Sequence, residues 1–375
     1  MKYLTVRHAT RYRYAQPATF GVHRLMLRPR DSHDMRLVDA ELTLSPPGEI
    51  HWSHDVFGNS IAQVEFAQGG TELLIDSTLH LERYAVVRPR FAIDQSAQNY
   101  PFVYSASDRS DLGRLLDRHY PDPHGIVDKW AKGFVTESPM PTLELLRSLN
   151  AAFTTDFTYN VRYEEGTQSP TETLEKRTGT CRDYALLFME AVRSLGFGAR
   201  FITGYLYDPA LDGGEAMQGA GATHAWADVY LPGAGWVEYD PTNGIIAGVN
   251  LIRVAVTRDP SQALPISGSF TAKPSDFLGM TVEVTVSARN PEQQEMDAQA
   301  PVTQDLAAAN AATPDLPAPN TAPDAAPSDK PEQAESRSQP VAQSQYQVQT
   351  QYTVPRPDPD EAQDSLDQSQ QAQNQ

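Results

Sequence analysis

Between His224 and Asn243 the chain has few ways to fold other than back on itself. His224-Ala-Trp-Ala-Asp-Val-Tyr-Leu231 has the alternation of a strand, Pro232-Gly-Ala-Gly235 is a turn, and Gly235-Trp-Val-Glu-Tyr-Asp-Pro-Thr-Asn243 returns. Residues of equal parity share a face of a strand. A hairpin about this turn brings Asp240 back toward His224, directly opposite or on the diagonal. The two share a face if the loop holds an odd number of residues, and at ~4.5–8 Å between Cβ atoms they are within reach of each other. A carboxylate so placed can accept a hydrogen bond from imidazole Nδ1–H and leave Nε2 to face a third group.

A candidate third group is the single cysteine of the 375-residue chain, Cys181. It lies in Thr178-Gly-Thr-Cys-Arg-Asp-Tyr-Ala-Leu-Leu-Phe-Met-Glu-Ala-Val-Arg-Ser-Leu-Gly196, where Tyr184, Phe188, Val192 and Leu195 recur at helical spacing and Gly196 is a stop. Thr180 with Asp183 three residues on resembles a capping box, which puts Cys181 at the first helical position. The positive end of a helix favours a thiolate, and its free N–H groups can hold a developing oxyanion. A free cysteine is also a common core residue. A histidine and an aspartate on one hairpin, joined to a cysteine at a helix start, favour nucleophilic chemistry over that alternative.

Elsewhere the chain changes character in stages. Residues 1–90 read as a small sandwich-like β domain. Strand segments such as Tyr3–Val6, Leu37–Leu44, Ser60–Phe66 and Leu73–Leu81 are separated by turns at Arg28–Asp31, Ser45–Gly48 and Phe57–Asn59. Residues 91–135 read as a helical connector, with helical spacing at Asp111–His119 and Ile126–Phe134. Residues 136–288 form the core, opening on a helix over Thr142–Phe153 whose stripe is Leu145, Leu146, Leu149 and Phe153, and closing on a strand at Thr281–Ser287. Residues 289–375 are rich in Ala, Pro, Gln, Ser and Asp, a composition that cannot bury enough apolar area to offset chain entropy and that predicts disorder.

Charge and cysteine count exclude several functions. The formal net charge is −18, and the stretch from Pro291 onward holds fourteen Asp/Glu against three Lys/Arg, or −11, leaving −7 for the residues before it. Nucleic acid and anionic membranes repel such a molecule. One cysteine rules out an intramolecular disulfide and a cysteine-rich zinc site. The amino terminus has no apolar signal core, and no stretch approaches the ~18 apolar residues of a membrane span, so the expected location is the cytoplasm.

GTCRDYA, THAWADVYLPGAGWVEYDPTNG, the Phe157–Tyr159 triplet FTY and the intervening LGFGARFITGYLYD resemble the core of transglutaminase-like proteins. His8–Tyr14, Leu27–Asp31 and Asp55–Asn59 are similar to the β domain that precedes this core in one bacterial branch. The resemblance covers about residues 1–288. It implies an α+β, papain-like fold in which Cys181, His224 and Asp240 act in that chain order as a triad on a peptide or carboxamide substrate. It further implies Tyr159 near the oxyanion, with Trp226 and Trp236 as walls of an acyl tunnel, although an ordinary core tyrosine explains Tyr159 at least as well and strand packing explains the two tryptophans better. Calcium-dependent members use acidic loops; Asp208, Asp212 and Glu215 lack the spacing of such a loop, and no metal or other cofactor is expected. Bacterial relatives are often encoded beside ATP-grasp-type ligases, which suggests a peptide-processing pathway as partner. The family holds transglutaminases, peptidases and amidases, and a peptide-binding module without turnover is the reading from another class.

Overall fold

Strand β1 (Lys2–Leu25) is too long to serve one sheet, and in the computed structural model, which describes residues 2–84, 90–162, 166–212, 217–218 and 221–288, it serves two. Its partners are β2 (Met35–Ser45), β3 (Glu49–His54), β4 (Ser60–Glu65) and β5 (Gly70–Arg83), together with two strands from the far end of the described chain. Residues up to Arg13 pair with β5, and the register breaks before Ala18. Beyond the break β1 pairs with β4, which pairs with β3, while β2 flanks β5. The two halves enclose Tyr14, Phe20, Leu25, Val64, Leu73 and Ile75 between them. This is the sandwich-like layout expected from the short strands and their turns.

The core follows. After β6 (Asn99–Tyr100) come α1 (Ala106–Leu112), α2 (Ile126–Lys132), β7 (Met140–Pro141) and α3 (Thr142–Asp156). Then β8 (Thr158–Tyr159), α4 (Pro170–Lys176) and β9 (Thr178–Gly179) lead into α5 (Cys181–Ser194). A second sheet takes β10 (Ala199–Leu206), β11 (Thr223–Leu231), β12 (Gly235–Asp240), β13 (Ile245–Ile246) and β14 (Leu251–Thr257) in the order β13-β12-β11-β10-β14. Leu145, Leu146, Leu149 and Phe153 of α3 are buried as their spacing requires. They join Leu187 and Phe188 of α5 and Ala225, Ala227 and Val229 of β11 in one cluster. The first expected helix of the connector is shorter and earlier than Asp111–His119, since Gly113 breaks it. Val127 and Ala131 of α2 sit in the core cluster, so α2 belongs to the core and not to a connector.

Sequence alone also assigns the last strand to the core. Instead β15 (Ile266–Thr271) and β16 (Phe277–Ala288) return to the amino-terminal unit and pair with the two halves of β1. The physical reason is the open edge of β1: backbone donors and acceptors along its edge need partners, and β16 supplies them from Leu4 to Tyr14. Alternating residues show that a segment is a strand, but not which edge it will find. The expected disordered tail lies outside the described residues. Among the described residues, no helix is long and apolar enough to cross a membrane.

Two features join the sheets. Leu4, Val6, Leu79, Leu81, Val284 and Val286 pack against Tyr205, Tyr207, Ile252 and Val254. Within that contact His8 Nδ1 lies 2.9 Å from the Tyr205 hydroxyl, and burial lowers the imidazole to about 4, so the ring is neutral there. The second is Asn59, at the end of the Asp55–Asn59 motif. Its Nδ2 donates to Val256 O at 2.6 Å and its Oδ1 accepts from Val256 N at 2.9 Å. The side-chain amide thereby acts as one more peptide group against β14, an edge strand. Asp55 holds the asparagine in place by accepting from its backbone N and its Nδ2. Asn59→Ala strands a buried N–H and a buried C=O, each worth about 1–3 kcal/mol when left unpaired. Urea unfolding should show a loss of at least that size, and an unchanged midpoint would mean that Asn59 does not dock the sheets.

Candidate active site

Cys181 is placed by a buried carboxylate. Asp183, at the third position of α5, accepts from the backbone N of Thr180 at 2.8 Å, from Thr180 Oγ1 at 3.0 Å and from Gln168 N at 2.7 Å. Arg162 Nε donates to the same carboxylate at 2.9 Å and balances its charge. Gly179 allows this arrangement, because a Cβ there would come within 2.9 Å of Asp183 Cβ. The capping box therefore exists, and it fixes the first turn of α5 with Cys181 at its start, 4% exposed.

The hairpin turn contains Pro232, Gly233 and Ala234, an odd number, with Gly233 at φ 82° and Gly235 at φ 74° supplying the left-handed backbone. The register pairs Ala227 with Tyr239, so the next step sets Asp240 across from Trp226 and diagonal to His224. His224 and Asp240 share a face and meet: His224 Nε2–H donates to Asp240 Oδ2 at 2.9 Å, with both side chains fully buried. This is the ring nitrogen opposite to the one expected. A diagonal neighbour lies farther away than a directly opposed one, and the far nitrogen of the ring spans the gap. The near nitrogen, Nδ1, is buried and makes no hydrogen bond of good geometry. Burial opposes a charge on His224, but Asp240 and then Cys181 outweigh it and raise the imidazole to about 10.

Asp240 is itself held on all sides. Its Oδ1 accepts from Thr242 N at 2.9 Å and its Oδ2 from Asn243 Nδ2 at 2.8 Å. Asn243 also grips the backbone of Gln218, donating to its O and accepting from its N at 2.9 Å. In the sequence the only signal for Asn243 is its position three residues after the aspartate.

Tyr159 reaches the site through β8, which runs parallel to β9 and pairs Tyr159 with Gly179, two residues before Cys181. Burial, then the charge and hydrogen bonding of Cys181, push the tyrosine above its ordinary value, so its hydroxyl keeps its proton beside the sulfur. Both tryptophans are engaged with other side chains. Trp226 is fully buried, stacks on His224 at 5.9 Å between centroids and donates Nε1–H to Glu238 Oε1 at 3.3 Å. Trp236 sits four residues before Asp240 on β12, packed between Tyr230 at 5.4 Å and the Arg200 guanidinium at 4.1 Å. Strand parity alone could not separate a residue at the site from one farther along the same face.

Asp208 accepts from Ala210 N and Met217 N and shapes its loop. The Asp212 side chain and Glu215 lie outside the described residues. Among the described residues no three His, Cys, Asp or Glu side chains gather as a metal site.

Comparison with known proteins gives this geometry a family. Residues 4–82 match the bacterial transglutaminase-like N-terminal region, and residues 128–241, which contain Cys181, His224 and Asp240, match the transglutaminase-like superfamily core. The chain belongs to the transglutaminase-like superfamily. It is 29% identical over 288 residues to Rv2569c of Mycobacterium tuberculosis, covering 74% of this chain and 91% of that protein. ML0607 of Mycobacterium leprae is 23% identical, with coverage of 75% and 98%. Among solved structures, a proposed cysteine protease from Cytophaga hutchinsonii has a TM-score of 0.55 at 20% identity, covering 77% of this chain and 91% of that one, which shows a shared fold. These matches support a cysteine-based catalytic family, and the shared core is the α+β one described above.

The raised imidazole links pH to stability. Since the folded value is about 10 against an ordinary 6.5, the His224–Asp240 interaction stabilises fully below pH 6.5 and is lost as pH rises through 10. Wild-type urea midpoints should fall across that window, while Asp240→Asn should be less stable at pH 6 and flatter from there to pH 10. Parallel curves for the two proteins would show that the carboxylate does not hold the imidazolium.

Proposed function

We propose that the protein is a cysteine-dependent hydrolase of peptide or carboxamide bonds, with Cys181 as nucleophile, His224 as general acid and base, and Asp240 as the group that orients the ring. The observation that carries this reading is the division of labour on His224. One nitrogen is committed to Asp240, while the other is buried, free of other partners and on a ring whose charge Cys181 affects.

The sulfur of the thiolate form attacks the substrate carbonyl carbon, and the carbonyl π electrons move onto oxygen. The Tyr159 hydroxyl and the N-terminal N–H groups of α5 are the donors available to that oxyanion. On collapse the C–N bond breaks, and His224 gives its Nδ1 proton to the departing amine or ammonia, leaving a thioester on Cys181. Water then attacks the thioester as His224 takes its proton. The C–S bond breaks, and the carboxylic acid leaves with the thiolate restored.

Water is favoured over an amine as acceptor because the candidate channel walls are engaged elsewhere. A transamidase must shield its thioester from water. Trp226 lies beneath His224 in the core, and Trp236 lies against Arg200. Supplying a glutamine peptide with and without excess primary amine, while following ammonia and product mass, separates the outcomes. Deamidated or cleaved product should persist at high amine and vanish in Cys181→Ala. Dominant amine adduct at millimolar amine would make the protein a transglutaminase, and binding of peptides without any turnover would make it a binding module.

A further inference from the structure

Two adjoining cavities lie between the amino-terminal unit and the core sheet, on residues that the proposed chemistry does not use. One, about 230 Å³, is lined by Arg30, Asp31, Asp34, Arg83, Arg200, Glu238 and Arg253 among others; the second, about 390 Å³, shares Asp34, Arg83, Glu238 and Arg253 and adds Arg90, Phe91 and Trp236. Five arginines thus face three carboxylates in the lining, and with the buried Asp228 that pairs with Arg200 at 2.8 Å counted as well, one positive charge remains in excess inside a chain whose net charge is −18.

The two arginines common to both cavities have donors to spare. Arg83 is 7% exposed in its side chain and pairs with Asp34 through Nη1, while its Nε is buried without a hydrogen-bond partner. Arg253 gives Nε and Nη2 to a single oxygen, Glu238 Oε1, at 3.3 and 2.6 Å. A guanidinium carries five donors in a planar fork that matches a carboxylate. A buried donor with no partner is costly, and a ligand oxygen would satisfy it. The larger cavity also has an apolar side made by Phe91, Ala234, Trp236 and Val237, which bare phosphate would leave unused.

We propose that these cavities form a second binding site, for a small organic carboxylate with an apolar body, such as the carboxy-terminal residue of a peptide. The carboxylate sits against Arg83 and Arg253, and the apolar group against Trp236 and Phe91. The site includes the Leu27–Asp31 motif through Arg30 and Asp31, and it stands independently of the chemistry at Cys181.

Calorimetry on the full chain tests this with N-acetylphenylalanine, its uncharged amide and inorganic phosphate. The acid should bind with a dissociation constant below about 1 mM, and the amide at least about tenfold more weakly, one charge-assisted contact being worth about that factor. Arg253→Gln and Arg90→Gln should each weaken the acid several-fold, and alkylating Cys181 with iodoacetamide beforehand should leave its binding unchanged. Arg90 is exposed, so its variant carries the test if Arg253→Gln fails to fold. Equal binding of acid and amide, equal binding of phosphate, wild-type affinity in the folded arginine variants, or loss of binding after alkylation would each overturn the proposal; the last would place the ligand at Cys181.

Discussion

The buried contact between His224 and Asp240 makes demands on much of the surrounding structure. A carboxylate removed from water is tolerable only when its oxygens are filled with donors. Asp240 receives them from His224, Thr242 and Asn243. Those donors come from the strand beside it and the turn after it, so the hairpin register and the turn must both be correct before the imidazole can be held. The three-residue turn sets that register. One residue more or fewer would move Asp240 to the other face of β12.

The thiol depends on a second buried carboxylate. Asp183 ties Thr180, Gln168 and Arg162 to the first turn of α5. The packing of α5 on β11 and β12, with Phe188 stacked on Tyr239 at 5.3 Å, brings that turn to the end of the hairpin. The amino-terminal unit closes over Tyr205, Tyr207, Ile252 and Val254, and Asn59 completes the edge of β14. The amino-terminal motifs thus support the core sheet, and the last described strands belong to that support.

The features legible in the sequence are those whose partners lie close along the chain. The hairpin, its odd turn, the capping box at Thr180 and Asp183 and the apolar stripe of α3 all follow from residues within about twenty positions of each other. Pairing over long separations was not legible: β16 and a core strand alternate alike, and only the unfilled edge of β1 decides between them. The same holds for Asn59, which reads as a turn residue until Val256 is seen opposite it. The choice of ring nitrogen on His224 depends on a diagonal offset, a geometric detail finer than parity. Trp226 and Trp236 share parity with His224 and still serve different neighbours, Glu238 and Arg200, because position along the strand matters as much as face.

In the proposed mechanism His224, held by Asp240, keeps the Cys181 sulfur reactive. Because the chain has one cysteine, alkylation reports on that sulfur alone. Its rate with iodoacetamide at neutral pH should be well above that of a free thiol in the wild type, and should fall by at least about tenfold, roughly 1.4 kcal/mol, in folded His224→Ala. Equal rates in the two proteins would contradict the account.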